Sequence, residues 1–331
     1  MSYLLEKEIA VEAVMKACRL CQNVRRSMVS DEAMLKKDNS PVTIADFGAQ
    51  AVIIDTLHKH FPKDPFIAEE DVTELLSCKN ITERESVYQQ VQRVSPYLTK
   101  DEMINAIQRG NYIGQEVGRQ WVIDPIDGSI GYLRDGQYAV ALALIENGKI
   151  VLGILGCPNL ATDFTDPKSP IGCLFLAIHG EGVVSRSLET PSELSVNVSK
   201  IENLSKIKVC ESRDSRHSSH SKAAQISDLL GIRTMPIRID SQCKYAVVAR
   251  GDASIYLRLP ARDGYKEKIW DHAAGVIIIE EAGGRVSDVE GKPLDFTRGN
   301  TLKGNRGIIA TSAPIYDDVI AVVRGIMGSK E

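Results

Sequence analysis

Asp124 and Asp127 stand three residues apart at the end of an apolar run, in the stretch Trp121-Val122-Ile123-Asp124-Pro125-Ile126-Asp127-Gly128-Ser129. The apolar run reads as a strand that delivers two carboxylates, with Pro125 fixing the turn between them. Pro125 has no N–H, but the carbonyls beside it can point inward. Two carboxylates and a free carbonyl suit a hard, oxygen-seeking cation such as Mg²⁺. Gly128 lets the backbone approach a ligand, and Ser129 offers an N–H and a hydroxyl to an anion. The same residues could equally form an Asp-Pro and Asp-Gly turn at the surface. Three further acidic segments stand in comparable places. Glu69-Glu70-Asp71 follow Ile67-Ala68 at an apparent strand end. Asp271, in Trp270-Asp271-His272-Ala273-Ala274-Gly275, opens an apolar helix that closes at Glu281-Ala282-Gly283-Gly284. Asp46 follows Ser40-Pro41-Val42-Thr43 at a helix start. An Asp that opens a helix is commonly an N-cap, so each segment alone reads as structural. Four of them in this order point to a metal-dependent site.

These acids need elements to hold them. Leu5, Ile9, Ala13, Ala17, Leu20 and Val24 recur at helical spacing, and a second helix from about Asp46 to His60 shows Phe47, Ala51, Ile54, Leu57 and Phe61 on one face before Pro62 stops it. Residues 72–118 read as an inserted helical segment with the stripes Val87, Val91, Val94 and Met103, Ile104, Ile107, either a lid or a passive insertion. Glu146-Asn147-Gly148 between apolar runs predicts a hairpin, and Gly180-Glu181-Gly182 predicts another. Beyond them, strand-like runs (Ile207–Cys210, Ile255–Leu259, Gly307–Ala310) alternate with helix-like ones (Lys222–Leu230, Ser241–Arg250, Asp271–Ala282, Pro314–Met327), several closed by glycine. The pattern predicts an α+β half over 1–160, carrying most of the metal ligands, and an α/β half over 161–331.

Composition narrows the function classes. The chain has 331 residues, 25 % charged and 43 % apolar, with a formal net charge of −4. That excludes disorder and argues against a protein that blankets nucleic-acid phosphates. No apolar run approaches a membrane span, and Glu6, Glu8 and Glu12 break any signal or transit pattern, so a cytoplasmic protein is expected. The seven cysteines are odd in number and scattered, which reads as reduced thiols. Cys18-x-x-Cys21, inside a helical pattern, reads as two packing residues.

Asp124-Pro125-Ile126-Asp127-Gly128-Ser129, Trp270-Asp271-His272-Ala273-Ala274-Gly275 with Glu281-Ala282-Gly283-Gly284, Ala68-Glu69-Glu70 and Asp46 together resemble the lithium-sensitive, Mg²⁺-dependent phosphatase superfamily typified by inositol monophosphatase, over residues 1 to about 320. The resemblance implies a layered αβαβα sandwich with the site between the halves. It implies that Glu69, Asp124 and the Ile126 carbonyl hold one Mg²⁺, that Asp124, Asp127 and Asp271 hold a second, and that a weaker third lies near Asp46 and Glu69. Ser129 and Asp46 then resemble the relay that orients water and accepts its proton, and the Gly128 and Ser129 N–H groups hold the scissile phosphate. The family usually has Thr at Ser129, and Lys or Thr at Ile130.

The second half sharpens the resemblance. His217-Ser218-Ser219-His220, Asp240-Ser241-Gln242-Cys243-Lys244-Tyr245, Tyr256-Leu257-Arg258-Leu259-Pro260, Gly131-Tyr132-Leu133-Arg134 and the Lys36 to Thr43 segment are similar to the 3′(2′),5′-bisphosphate nucleotidases. This implies removal of the 3′-phosphate from 3′-phosphoadenosine 5′-phosphate, with its 5′-phosphosulfate and inositol 1,4-bisphosphate as further substrates. Ser241 at a helix N-terminus, Lys244 one turn on and Arg258 on a neighbouring strand would suit a second phosphate, and the resemblance assigns them the 5′-phosphate and His217 the adenine. Read without it, the His-Ser cluster is a polar loop, and Ser241 with Lys244 is an N-cap beside a solvated lysine. An inositol polyphosphate 1-phosphatase and an inactive sensor of the nucleotide are the alternatives. Nothing in the sequence sets the oligomeric state, and a monomer is the working expectation.

Overall fold

The computed structural model describes residues 3–30, 41–76, 81–213, 219–260 and 264–328. The chain opens with helices α1 (Leu4–Ser30) and α2 (Pro41–His60). Helical spacing buries Ile9, Ala13, Ala17, Leu20 and Val24 of α1, while Leu5, expected in the same stripe, is exposed in the first turn. The short α3 (Val72–Leu76) precedes α4 (Ile81–Val94) and α5 (Lys100–Arg109), and α2 is apolar on nearly every side because α1, α4, α5 and a strand wrap it. The helix begins at Pro41, more than a turn before the expected start near Asp46, so Asp46 is an interior residue of α2 rather than its cap.

Strands β1 (Phe66–Ala68), β2 (Arg119–Asp127), β3 (Ala139–Glu146), β4 (Lys149–Ala161), β5 (Ile171–Ile178), β6 (Gly182–Ser187) and β7 (Leu194–Val196) form one sheet in that order. β1 lies parallel to β2, and the rest run antiparallel. Both predicted hairpins are present. Asn147 (φ 50°) and Gly148 (φ 77°) form the tight turn that closes Glu146 on Lys149. A second sheet holds β8 (Val209–Glu211), β9 (Ile237–Arg238), β10 (Ile255–Arg258), β11 (Gly284–Ser287) and β12 (Ile308–Ser312) in the order β11-β12-β10-β8-β9.

Three apolar clusters define five layers. The first lies between α1 and α2 and one face of the large sheet, the second between the sheets, and the third outside the small sheet. Strand alternation divides β3 between two of them: Val140, Leu142 and Leu144 point to the first, and Ala139, Ala141, Ala143 and Ile145 to the second. Helices α8 (Cys243–Ala249) and α9 (Ala273–Glu281) fill the middle layer, with α9 packed on β3 to β6 and on β11 and β12. Helices α7 (His220–Leu229) and α10 (Tyr316–Gly328) cover the outer face. The arrangement is an αβαβα sandwich.

A division at residue 160 would cut the large sheet between β4 and β5, whereas the chain changes sheets between Val196 and Val209. The helices of 72–118 are built into the core, with Val87, Val91, Met103 and Ile107 buried against the first cluster. Cys18 and Cys21 are buried packing thiols, as are the other described cysteines. Among the described residues, no helix is long and apolar enough to cross a membrane.

Candidate active site

Residues three apart on a regular strand point to opposite faces. Asp124 pairs with Ala141 and Asp127 with Ala139, so β2 spends an extra residue there as a bulge. The bulge turns both carboxylates into one cleft of about 400 Å³. Gly128 follows with φ 90°, and a Cβ there would lie 2.7 Å from Cβ of Ser241, so only glycine suits both backbone and neighbour. The short helix α6 (Ser129–Leu133) begins immediately after it. The Ser129 hydroxyl donates to the Ile126 carbonyl at 3.4 Å.

Three other elements bring acids to this point. Glu69 follows β1 and lines the cleft. The next residue, Glu70, is gripped through its backbone by the buried Gln50 of α2, whose Nε2 donates to its carbonyl at 2.8 Å and whose Oε1 accepts its N–H at 3.0 Å. Asp46, one turn before Gln50, is 4 % exposed. Asp271 enters from the loop before α9.

The acids crowd one another. Burial, then the charges of Asp271 and Glu70, push the Glu69 carboxyl up to about 8. Burial and Asp271 raise Asp127 to about 6 against the pull of Lys244 and Arg258. Asp124 lies well above the usual carboxylate range through burial and then Glu69, Asp127, Asp271 and Asp46, and Asp46 is raised by burial and then Glu70 and Glu69. The buried Oδ1 atoms of Asp124 and Asp46 have no hydrogen-bond partner among the described residues. Convergent oxygens short of hydrogen-bond donors are what a divalent cation satisfies, so the donor set fits Mg²⁺.

This has a sign. An acid whose folded pKa is raised makes the native state hold extra protons between its unfolded and folded values, so stability falls as pH rises through that window. For Glu69 the window runs from 4.5 to about 8, and for Asp127 from 3.8 to about 6. The metal-free protein is therefore expected to lose thermal stability from pH 5 to pH 8. Mg²⁺ should raise its melting midpoint by several degrees, more at pH 8 than at pH 6. Melting curves in EDTA and in Mg²⁺ at both pH values check this, and equal increments would contradict it.

Lys244 and Arg258 form the cationic part of the same cleft. Lys244 is 3 % exposed, its Nζ donates to the Ser241 carbonyl at 2.7 Å, and it lies 5.1 Å from the Tyr256 ring centre. Arg258 reaches Glu267 at 2.7 Å and Asp271 at 3.2 Å. The guanidinium expected to meet a phosphate is thus engaged by two carboxylates through Nη2, and its buried Nε has no partner among the described residues. Burial opposes ionisation of Glu267, but the hydrogen bond from His272 and the Arg258 charge outweigh it and hold its carboxyl at about 2. Although Glu267, Asp271 and His272 stand close enough to share an ion, Arg258 already pairs with Glu267 and with one oxygen, Oδ2, of Asp271.

Ser241 sits in the left-handed region at φ 69°. The free N–H groups expected beyond it are taken: that of Gln242 donates to Asp127 Oδ2 at 2.6 Å, and that of Cys243 to the Ser241 hydroxyl at 3.2 Å. Asp127 therefore occupies the place foreseen for an anion at the helix N-terminus. His217 lies outside the described residues. The sequence reading passed over Gln50, Gln242, Glu267 and His272. Only Gln50 carried a signal, a polar residue inside the apolar run Phe47-Gly48-Ala49-Gln50-Ala51-Val52; the other three stand beside polar neighbours and carry none.

A model of the inositol monophosphatase family matches residues 5–326. The chain is 42 % identical to the 3′(2′),5′-bisphosphate nucleotidase of Schizosaccharomyces pombe, over 98 % of this chain and 97 % of that one. It is 39 % identical to the nucleotidase of the same name from Emericella nidulans, over 99 % of each. Among solved structures, the inositol monophosphatase of Anabaena (Nostoc) superposes with a TM-score of 0.62 at 24 % identity, covering 98 % of this chain and 97 % of that one. The inositol monophosphatase II of Staphylococcus aureus gives 0.63 at 16 % identity, covering 100 % of each. These structural likenesses speak for the fold.

Proposed function

The chain belongs to the inositol monophosphatase family, and we propose that it is the phosphomonoesterase that removes the 3′-phosphate of 3′-phosphoadenosine 5′-phosphate to leave AMP. The observation that carries this is a single cleft lined both by Glu69, Asp124, Asp127 and Asp271 and by the buried cations Lys244 and Arg258. A substrate with two phosphates can place one against each set.

The family is metal-dependent, typically on Mg²⁺. Glu69, Asp124 and the Ile126 carbonyl would hold one ion, Asp124, Asp127 and Asp271 a second, with a third, weaker position near Asp46 and Glu69. Bound there, the ions would make water easier to deprotonate and offset the charge of the phosphoryl oxygens. The chain's own groups do the rest. Ser129 and Asp46 form the relay that accepts the proton of the attacking water, with Asp46 as its base. The Ser129 hydroxyl, close to the Ile126 carbonyl, orients that water. The N–H groups of Gly128 and Ser129 hold the scissile phosphate where negative charge builds. Lys244, with ammonium protons beyond the one given to Ser241, holds the 5′-phosphate together with the Ser241 hydroxyl and Arg258 Nε, and His217 packs on the adenine. The 5′-phosphosulfate and inositol 1,4-bisphosphate are further substrates in this reading. The buried, unpaired cysteines support a reducing, cytoplasmic setting.

The test is a phosphate-release panel in Mg²⁺, with and without lithium, covering 3′-phosphoadenosine 5′-phosphate, adenosine 3′-monophosphate, inositol 1,4-bisphosphate and inositol 1-phosphate. The bisphosphate nucleotide should give the highest kcat/KM, and millimolar lithium should inhibit. Faster release from an inositol phosphate would transfer the assignment to the inositol side, and binding without release would make the protein a sensor. Lys244→Ala is expected to raise KM for the bisphosphate nucleotide about 10- to 100-fold, the value of a charge-assisted hydrogen bond, with adenosine 3′-monophosphate little affected. Equal losses on both would remove Lys244 from the 5′-phosphate.

A further inference from the structure

We propose that Gln242 is a positioning residue that fixes Asp127 relative to Asp271 across the cleft and so sets the affinity of the site for its divalent cation. The inference rests on the reading of those two aspartates as cation ligands. They reach the cleft from different layers, Asp127 from the end of β2 and Asp271 from the entrance to α9. Gln242 is tied to both sides. Its backbone N–H donates to Asp127 Oδ2 at 2.6 Å. Its side-chain Nε2 donates at 2.9 Å to the carbonyl of Trp270, the residue before Asp271, and its Oε1 accepts the N–H of Gly275 at 3.2 Å. The residue is 2 % exposed, so water does not compete for these bonds.

The need for this clamp lies in how α9 begins. His272 stands at the N-cap and makes no cap bond. Its ring is engaged elsewhere, with Nδ1 at 2.8 Å from the Tyr245 hydroxyl and Nε2 at 3.3 Å from Glu267. An N-cap side chain ordinarily accepts the N–H of the second or third helical residue. Gly275 is the third, and its N–H goes to Gln242, which caps α9 from another element. Tyr245 lies so close that a Cβ on Gly275 would run into its ring. The cap and the strut on Trp270 bracket Asp271 from both sides. Removing the amide would leave a buried carbonyl and a buried N–H unpaired beside Asp271, and the carboxylate would lose its fixed distance from Asp127. Groups that orient metal ligands in this way act on metal affinity as well as on stability.

The test measures Mg²⁺ binding to the full-length protein by titration calorimetry and by the rise in melting midpoint. It compares the unaltered chain with Gln242→Met, Gln242→Asn and Asn305→Ala. Methionine keeps the length and loses both side-chain bonds, and asparagine keeps the amide but is too short to span Trp270 and Gly275. Asn305 is a buried amide bonded to Asp288 and Pro293, and it controls for the loss of any such group. Gln242→Met should weaken Mg²⁺ binding about tenfold or more, and Gln242→Asn should weaken it in the same direction. Asn305→Ala should lower the midpoint with Mg²⁺ affinity unchanged. A lower midpoint with unaltered Mg²⁺ affinity in the Gln242 variants would make the residue purely structural and overturn the proposal. If Gln242→Met does not fold, Gln242→Asn carries the same two outcomes. An unaltered chain that binds no Mg²⁺ would remove the ligand reading itself, a result distinct from equal binding by chain and variants.

Discussion

Replacing Asp124 by asparagine is expected to lower turnover of the bisphosphate nucleotide by about a thousandfold while raising the melting midpoint of the metal-free protein. The two effects share a cause. Asp124 is 2 % exposed and feels the charges of Glu69, Asp127, Asp271 and Asp46. It belongs to both proposed cation positions, so its loss disturbs both, and cation stabilisation of a phosphoryl transition state is worth several kcal/mol, about three decades in rate. Asparagine keeps the shape and removes one of the mutually repelling carboxylates, which relieves the folded state when no cation is present. Phosphate release and melting curves in EDTA and Mg²⁺ read the two arms. Turnover within tenfold of the unaltered chain would show that Asp124 holds no essential ion.

Asp46→Asn is expected to separate chemistry from binding. Turnover should fall about 10²- to 10⁴-fold, the usual contribution of a general base, while the Mg²⁺-induced rise in melting midpoint and the affinity for nucleotide stay close to those of the unaltered chain. Asp46 is suited to that role by its place. It lies in the interior of α2 with an unpartnered buried oxygen, close enough to Glu69 and Asp124 to feel their charges, and behind the cleft wall it would act on the water through the Ser129 hydroxyl. Loss of the Mg²⁺ increment would reclassify Asp46 as a cation ligand, and retained turnover would take it out of the mechanism.

Glu69, Asp124, Asp127 and Asp271 were legible in the sequence because each sits where a strand ends or just before a helix begins, Asp124 and Asp127 beside Pro125 and Gly128, whereas Asp46 lies inside α2. Asp124 and Asp127 required the bulge in addition, which Pro125 and Gly128 foreshadow. The hairpins were legible from Asn147-Gly148 and Gly180-Glu181-Gly182 because turn geometry is local. What stayed hidden was long-range. Sequence does not say which sheet a hairpin joins, so the residues around Gly180 do not tell that β5 to β7 extend the first sheet. Nor does it say that Arg258 would find Glu267 across a loop, or that Asp127 would claim the Gln242 N–H. The start of α2 was misplaced because Ser40-Pro41 and Asp46 are both plausible openings, and tertiary packing rather than capping decides between them.

The position of α9 has a consequence for biosynthesis. Asp46, Glu69, Asp124 and Asp127 are made early, and the large sheet is complete at Val196, but Asp271 arrives more than a hundred residues after Asp127. At ribosomal speeds of about 5–20 residues per second, that interval is on the order of ten seconds. During it the emerging chain carries a crowd of carboxylates without its last member, and a gap where α9 will sit between the sheets. In the proposed reading a nascent or truncated chain lacks the second cation position, and the insertion of α9 that seals the middle layer also completes the site.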